Sequence, residues 1–297
     1  KNGKETLHWG PRVDREPMGA VAISDDGSVI LYETAFTEDY LMQKKRPGEW
    51  DNRVHYATRK GKELWNKRIW GRVELSPDGR LVVNYPDGVT GEDMNVYDSQ
   101  GKLLWTRTLE TDFVEAFAFS PDSQYLGFQS GGYTLLDKSG NVLWKKTDVY
   151  PGISTVSDMA KYVSIVLWTD GNLSSRTGKV YDKQWNLVFE GYVDVSGDGQ
   201  RMLVFGQGNM ILKNISDNKV IANYPFWGSF FSHDGRFLVT IGVSNRNNTR
   251  VIDTLEQVES EIVTTGTRIL GTLQSTKDGK FMINVVDGNK ILYYQLY

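Results

Sequence analysis

Short apolar runs bounded by turn residues alternate along the chain, the pattern of short strands joined by tight turns. The same pattern recurs: an apolar strand ending in Ser, a tight turn usually carrying Asp-Gly, then a second apolar strand. It reads VAISDDGSVILY from Val21, VELSPDGRLVVNY from Val73, FAFSPDSQYLGF from Phe117 and STVSDMAKYVSIV from Ser154. It continues as VDVSGDGQRMLVF from Val193, SFFSHDGRFLVTI from Ser229 and TLQSTKDGKFMINV from Thr272. The signature serines are Ser24, Ser76, Ser120, Ser157, Ser196, Ser232 and Ser275, with spacings of 52, 44, 37, 39, 36 and 43 residues. A second half-repeat also recurs, a third strand ending in an Asp-like position, a turn and a fourth strand with an aromatic: NVYDSQGKLLW from Asn95, TLLDKSGNVLW from Thr134, KVYDKQWNLVF from Lys179. Four short strands per repeat of about 42 residues is the pattern of a propeller blade.

The reading is therefore an all-β, seven-bladed β-propeller of four-stranded antiparallel blades, filling residues 1–297 as a single domain. The expected blades are 18–70, 71–110, 113–148, 152–191, 192–225, 228–264 and 267–297. The last blade stops after its third strand, ILYYQLY, and the N-terminal NGKETLHW matches the fourth-strand pattern KGKELW. Residues 1–10 are thus expected to supply the missing outer strand of the last blade and close the ring, which removes an exposed edge.

The Ser-Pro-Asp turns at Ser76 and Ser120, the first followed by Gly79 and the second by Ser123, resemble the WD40-like propeller repeats of bacterial and archaeal proteins. The Gly-Lys-Leu-Leu-Trp strand at Gly101 and the Gly-Asn-Val-Leu-Trp strand at Gly140 are similar to quinoprotein-type repeats. The resemblance spans nearly the whole chain and implies architecture rather than an activity. No blade ends in the Trp-Asp dipeptide; Asp98, Asp137, Asp182 and Asp253 follow Tyr, Leu or Ile.

Composition narrows the chemistry. The 34 Lys and Arg nearly balance 37 Asp and Glu, a formal charge of −3, which gives no electrostatic footprint for nucleic acid. Zero cysteines exclude disulfides, thiolate zinc sites and cysteine nucleophiles, and three histidines are too few for a His-rich metal centre. No cofactor and no metal site are expected. The longest apolar stretches, such as Val163 to Trp168, are far below a membrane span. A start at Lys1 is read as a processed chain, expected to be extracytoplasmic and monomeric.

Recurring residues are read as structural. The Asp-Gly carboxylates sit in different blades and are expected to accept local backbone hydrogen bonds, while Trp9, Trp65, Trp105, Trp144 and Phe189 share one strand register and are expected to pack between sheets. Ser232, His233 and Asp234 are consecutive, so they cannot form a relay across a pocket.

What departs from the repeat carries the functional expectation. The longest departure is the blade-one insertion from Ala35 to Asn52. With other loops of the same face it offers Tyr40, Arg46, Trp50, Trp70, Arg72, Trp168, Arg176, Phe226, Trp227 and Arg246 as binding residues. Arg and aromatic side chains dominate binding hot spots, so a non-catalytic platform for a protein, peptide or surface glycan is expected, with no catalytic residue. Glu74, Glu115 and Asp194 are first-strand acids placed near the mouth of a central channel. They support an alternative, a carbohydrate-active enzyme using paired carboxylates.

Overall fold

The structure is a computed structural model that describes residues 4–9, 15–36, 53–69, 71–85, 93–110, 117–147, 151–168, 176–206, 208–224, 229–231, 236–241, 248–256, 258–263, 274–275, 281–286 and 290–295. Among these residues the chain is all-β, and the sole helical element is a single 3₁₀ turn, Asp158–Ala160. In chain order the strands are β1 (Lys4–Trp9), β2 (Arg15–Ile23), β3 (Val29–Phe36), β4 (Arg53–Thr58), β5 (Glu63–Arg68), β6 (Arg72–Leu75), β7 (Leu81–Tyr85), β8 (Asp93–Asp98) and β9 (Leu103–Thr108). There follow β10 (Phe117–Phe119), β11 (Tyr125–Gln129), β12 (Tyr133–Asp137), β13 (Val142–Lys146), β14 (Pro151–Val156), β15 (Tyr162–Trp168), β16 (Arg176–Asp182) and β17 (Leu187–Glu190). The remainder are β18 (Val193–Val195), β19 (Arg201–Phe205), β20 (Met210–Asn214), β21 (Val220–Tyr224), β22 (Ser229–Phe231), β23 (Phe237–Ile241), β24 (Asn248–Asp253), β25 (Val258–Val263), β26 (Gln274–Ser275), β27 (Phe281–Val286) and β28 (Lys290–Gln295).

Two compact units divide the chain. The first, Lys1–Pro86, Met94–Thr106 and Thr264–Tyr297, holds the sheets β2-β3-β4-β5, β6-β7-β8-β9 and β1-β28-β27-β26. The second, Asp87–Asp93 and Arg107–Val263, holds β10-β11-β12-β13, β14-β15-β16-β17, β18-β19-β20-β21 and β22-β23-β24-β25. Consecutive neighbours whose register is described are antiparallel, and β1 pairs antiparallel with β28, Lys4 opposite Gln295 and Trp9 opposite Ile291. A register shift recurs between third and fourth strands, at Tyr56/Ala57, Leu135/Leu136, Val180/Tyr181 and Leu212/Lys213.

The turn after each first strand explains the signature. Ser76 Oγ donates to Asp78 Oδ1 at 2.7 Å and accepts from the Leu81 N–H at 2.8 Å, while Asp78 Oδ1 also accepts from the Arg80 N–H. The same triangle repeats at Ser24, Ser120 and Ser196, with Asp26, Asp122 and Asp198. These serines are fully buried, so their hydroxyls need partners and find them within the turn. Gly79 has φ +72°, and a Cβ there would stand 2.9 Å from Ser24 Cβ of the preceding sheet, so glycine serves both the left-handed backbone and a close inter-sheet approach.

The core lies between neighbouring sheets. In the first unit Leu31, Val54 and Tyr56 pack on Val73, Leu75 and Val82; in the second, Tyr133 and Leu135 pack on Val156, Val163 and Ile165. Each fully buried side chain of this size contributes about 1.5–3 kcal/mol. Polar pins cross the same seams. The Asp25 N–H donates to Pro77 O at 2.6 Å, the Tyr56 hydroxyl to Gly79 O at 2.5 Å, and the Asp158 N–H to Gly197 O at 2.7 Å. The fourth-strand aromatics join them: Trp65 stacks on Tyr56 at 5.2 Å and donates its indole N–H to Ser99 O of the next sheet, and Trp144 stacks on Trp185 at 3.9 Å.

Candidate functional site

The first unit gathers two acids and a base beside one seam. Glu74 is the third residue of β6 and Arg72 its first, so both side chains leave the same side of a strand whose alternate residues, Val73 and Leu75, enter the core. Glu33 reaches the same neighbourhood from β3: the charges of Glu74 and Arg72 both act on its carboxyl. Burial pushes Glu33 up to about 7, Glu74 raises it further, and Arg72 pulls it down. Glu74 is likewise pushed up to about 7 by burial, against the pull of Arg72. Glu33 Oε1 is enclosed and accepts no hydrogen bond among the described residues, so the pair competes for protons and for the Arg72 guanidinium. Such a pair can hold and release a proton near neutrality.

A second constellation sits on β3, β4 and β5. The Thr34 hydroxyl lies 2.8 Å from His55 Nε2, and His55 Nδ1 lies 2.6 Å from Glu63 Oε2, whose carboxylate also accepts from Asn66 Nδ2 at 2.7 Å. The order hydroxyl, imidazole, carboxylate is that of a nucleophile relay. Thr34, however, is 0% exposed and the ring of Tyr32 stacks on the imidazole at 4.7 Å, so the hydroxyl is enclosed as a nucleophile could not be. The relay ties β3, β4 and β5 together.

The residues expected from the sequence divide four ways. Arg72 and Glu74 come together, joined by Glu33. Trp168 and Arg176 stand directly opposite each other where β15 ends and β16 begins. Asp194 lies on β18, largely enclosed, its carboxyl pushed up to about 6 by burial against a hydrogen bond from Thr155 and the Val195 N–H. Tyr40, Arg46, Trp50, Trp70, Glu115, Phe226, Trp227 and Arg246 lie outside the described residues. Glu33 and the Thr34–His55–Glu63 relay were not singled out by sequence reasoning. The signal for the first was present, an acid inside the otherwise apolar run VILYETAF; the relay joins residues 21 and 8 positions apart and needs the register to be seen.

The recurring acids are accounted for by turns. Asp98, Asp137 and Asp182 each accept two backbone N–H bonds from the turn that follows, and hydrogen bonds from Asn141 and from Asn186 hold Asp137 and Asp182 below the usual carboxylate range.

Comparison with solved structures settles the architecture. Over 99% of this chain and 100% of the other, the structure is similar to the β-propeller domain of Cps50 (Swd1) from Myceliophteria thermophila, with a TM-score of 0.67 and 10% sequence identity. The fold is a β-propeller. The WD40-like resemblance of the Ser-Pro-Asp turns agrees with it. No protein-family model and no curated protein matches the chain. Among the described residues no helix is long and apolar enough to cross a membrane.

Proposed function

We propose that the protein is a non-catalytic propeller of seven blades, one domain closed by β1, that binds a protein partner through the loop face bearing the insertion from Ala35 to Asn52. The observation that carries the reading is how the recurring polar groups are used: described turn serines and acids are committed to turns and seams, whereas the insertion that carries Arg46 and Trp50 departs from the repeat in the sequence. The pairing of β1 with β28 and the end-to-end likeness to a propeller domain support closure. A peptide or surface glycan would meet the same chemistry, and an extracytoplasmic setting remains part of the proposal.

Glu33 and Glu74 favour one rival, a carbohydrate-active enzyme, because two carboxyls poised near neutrality are what such a reaction uses. Capture of partners from the native source, using wild type, Arg46→Ala/Trp50→Ala/Trp70→Ala and Glu33→Gln/Glu74→Gln, separates them. Loss of capture in the first variant at an unchanged melting temperature, with capture retained in the second, supports the platform. Intact capture by the first variant refutes the face, and glycan turnover abolished by the second variant establishes the rival.

A further inference from the structure

Thr155 on β14 and Asp194 on β18 hold the same place in their repeats, two residues before the turn serines Ser157 and Ser196. Thr155 hydrogen-bonds the Asp194 carboxyl across the seam between neighbouring sheets. Its Oγ1 also lies 2.5 Å from Oγ of Ser164, its register partner on β15, which is buried. Asp194 Oδ1 accepts from the Val195 N–H at 2.9 Å, and fully buried Leu203 stands opposite on β19.

Among the described side chains, the charged and titratable groups of the packed strands have partners elsewhere. On β19 the Arg201 guanidinium is bonded to Thr254; on β15 the Tyr162 ring lies under Lys161. On β16, Lys179 faces Glu190, Tyr181 lies against Trp144, Asp182 holds its own turn, and Arg176 stands at the far end opposite Trp168. Described β14 residues add no charge.

We infer that the Asp194–Thr155–Ser164 chain is a proton-operated latch between two sheets of the propeller. The hydroxyls let it run in either direction. With Asp194 protonated, the carboxyl donates to Thr155 and Thr155 to Ser164; with Asp194 ionised, Ser164 donates to Thr155 and Thr155 to the carboxylate. The number of hydrogen bonds is conserved. What changes is that the ionised form leaves, in an enclosed seam, a carboxylate that meets no cation among the described residues, which is costly. Burial accordingly raises Asp194 from 3.8 to about 6, even against the pull of Thr155. A raised acid stabilises the fold fully below its unfolded value near 4, and that contribution is lost as pH rises through about 6.

Urea unfolding of the full chain between pH 4 and pH 8 tests the latch. Relative to Asp194→Asn, the wild-type folding constant is expected to fall about 100-fold more over that range, as the difference between 3.8 and about 6 dictates. Thr155→Val, which deletes a bond that favours the ionised form, shifts the step to higher pH. Parallel profiles for wild type and Asp194→Asn overturn the inference. Should the variants not fold, the carboxyl-carbon NMR signal of wild-type Asp194 decides: titration near pH 6 upholds the latch, and titration at or below pH 4 overturns it.

Discussion

A serine hydroxyl that donates to one side chain and accepts from one backbone N–H is the unit from which this chain builds its turns, and its worth follows from its burial. Ser76 is 0% exposed, and alanine there would leave the Leu81 N–H without its hydroxyl partner and remove one of the bonds to Asp78 Oδ1, which keeps the Arg80 N–H. We expect Ser76→Ala to destabilise the protein by about 1–3 kcal/mol, read as a lowered melting temperature with unchanged circular dichroism. An unshifted melting temperature would mean that the hydroxyl is dispensable. Residues of this kind were legible in the sequence, because the serine, the acid and the glycine recur at fixed offsets. Glu33 was not, since an acid that occurs once in a strand has no repeat to expose it, and its significance depends on Glu74 arriving from another sheet. Trp185 was hidden for the opposite reason. It occupies, at φ +66°, the turn position that Gly101 and Gly140 hold elsewhere, a conformation costly for a bulky residue. Stacking on Trp144 offsets that cost.

At the scale of the element, the fourth strands act as the outer fasteners of adjacent sheets. Their regular aromatic was readable as packing, and the contacts made by Trp65 and Trp144 bear that out. The register shift beside it was not readable: a bulge is one extra residue in one strand, and in a single sequence it is indistinguishable from a slightly longer turn. Trp144 touches Tyr133 of its own sheet and both Tyr181 and Trp185 of the next. Trp144→Ala should therefore cost about 3–5 kcal/mol, several times the effect of alanine at exposed Leu143 beside it, which is 48% exposed. Chemical denaturation of the two variants checks the ranking, and equal losses would show that the ring is not a fastener. Exposed apolar residues at this place, Leu64, Leu104, Leu143 and Val188 among them, recur from sheet to sheet, so they belong to the repeat rather than to a site.

For the whole molecule the decisive feature is how its two ends meet. The N-terminal β1 pairs with β28, near the C-terminus, so the outer strand of the last sheet comes from the start of the chain. That arrangement could be read from a missing fourth strand at one end and a surplus one at the other, because both halves of the pattern were already known from internal repeats. The proposed binding face was legible only as a list of residues that break the repeat, since nothing repeats there for comparison and loops carry no strand period. The absence of cysteine makes closure directly measurable. His8 and Leu292 are register partners, and cysteines placed at both positions can form one disulfide that links the two ends. Oxidation of His8→Cys/Leu292→Cys is predicted to give a monomer that runs faster on a non-reducing gel and melts at a higher temperature, both reversed by reductant; free thiols, or disulfide-linked dimers alone, would contradict a propeller closed by its first strand.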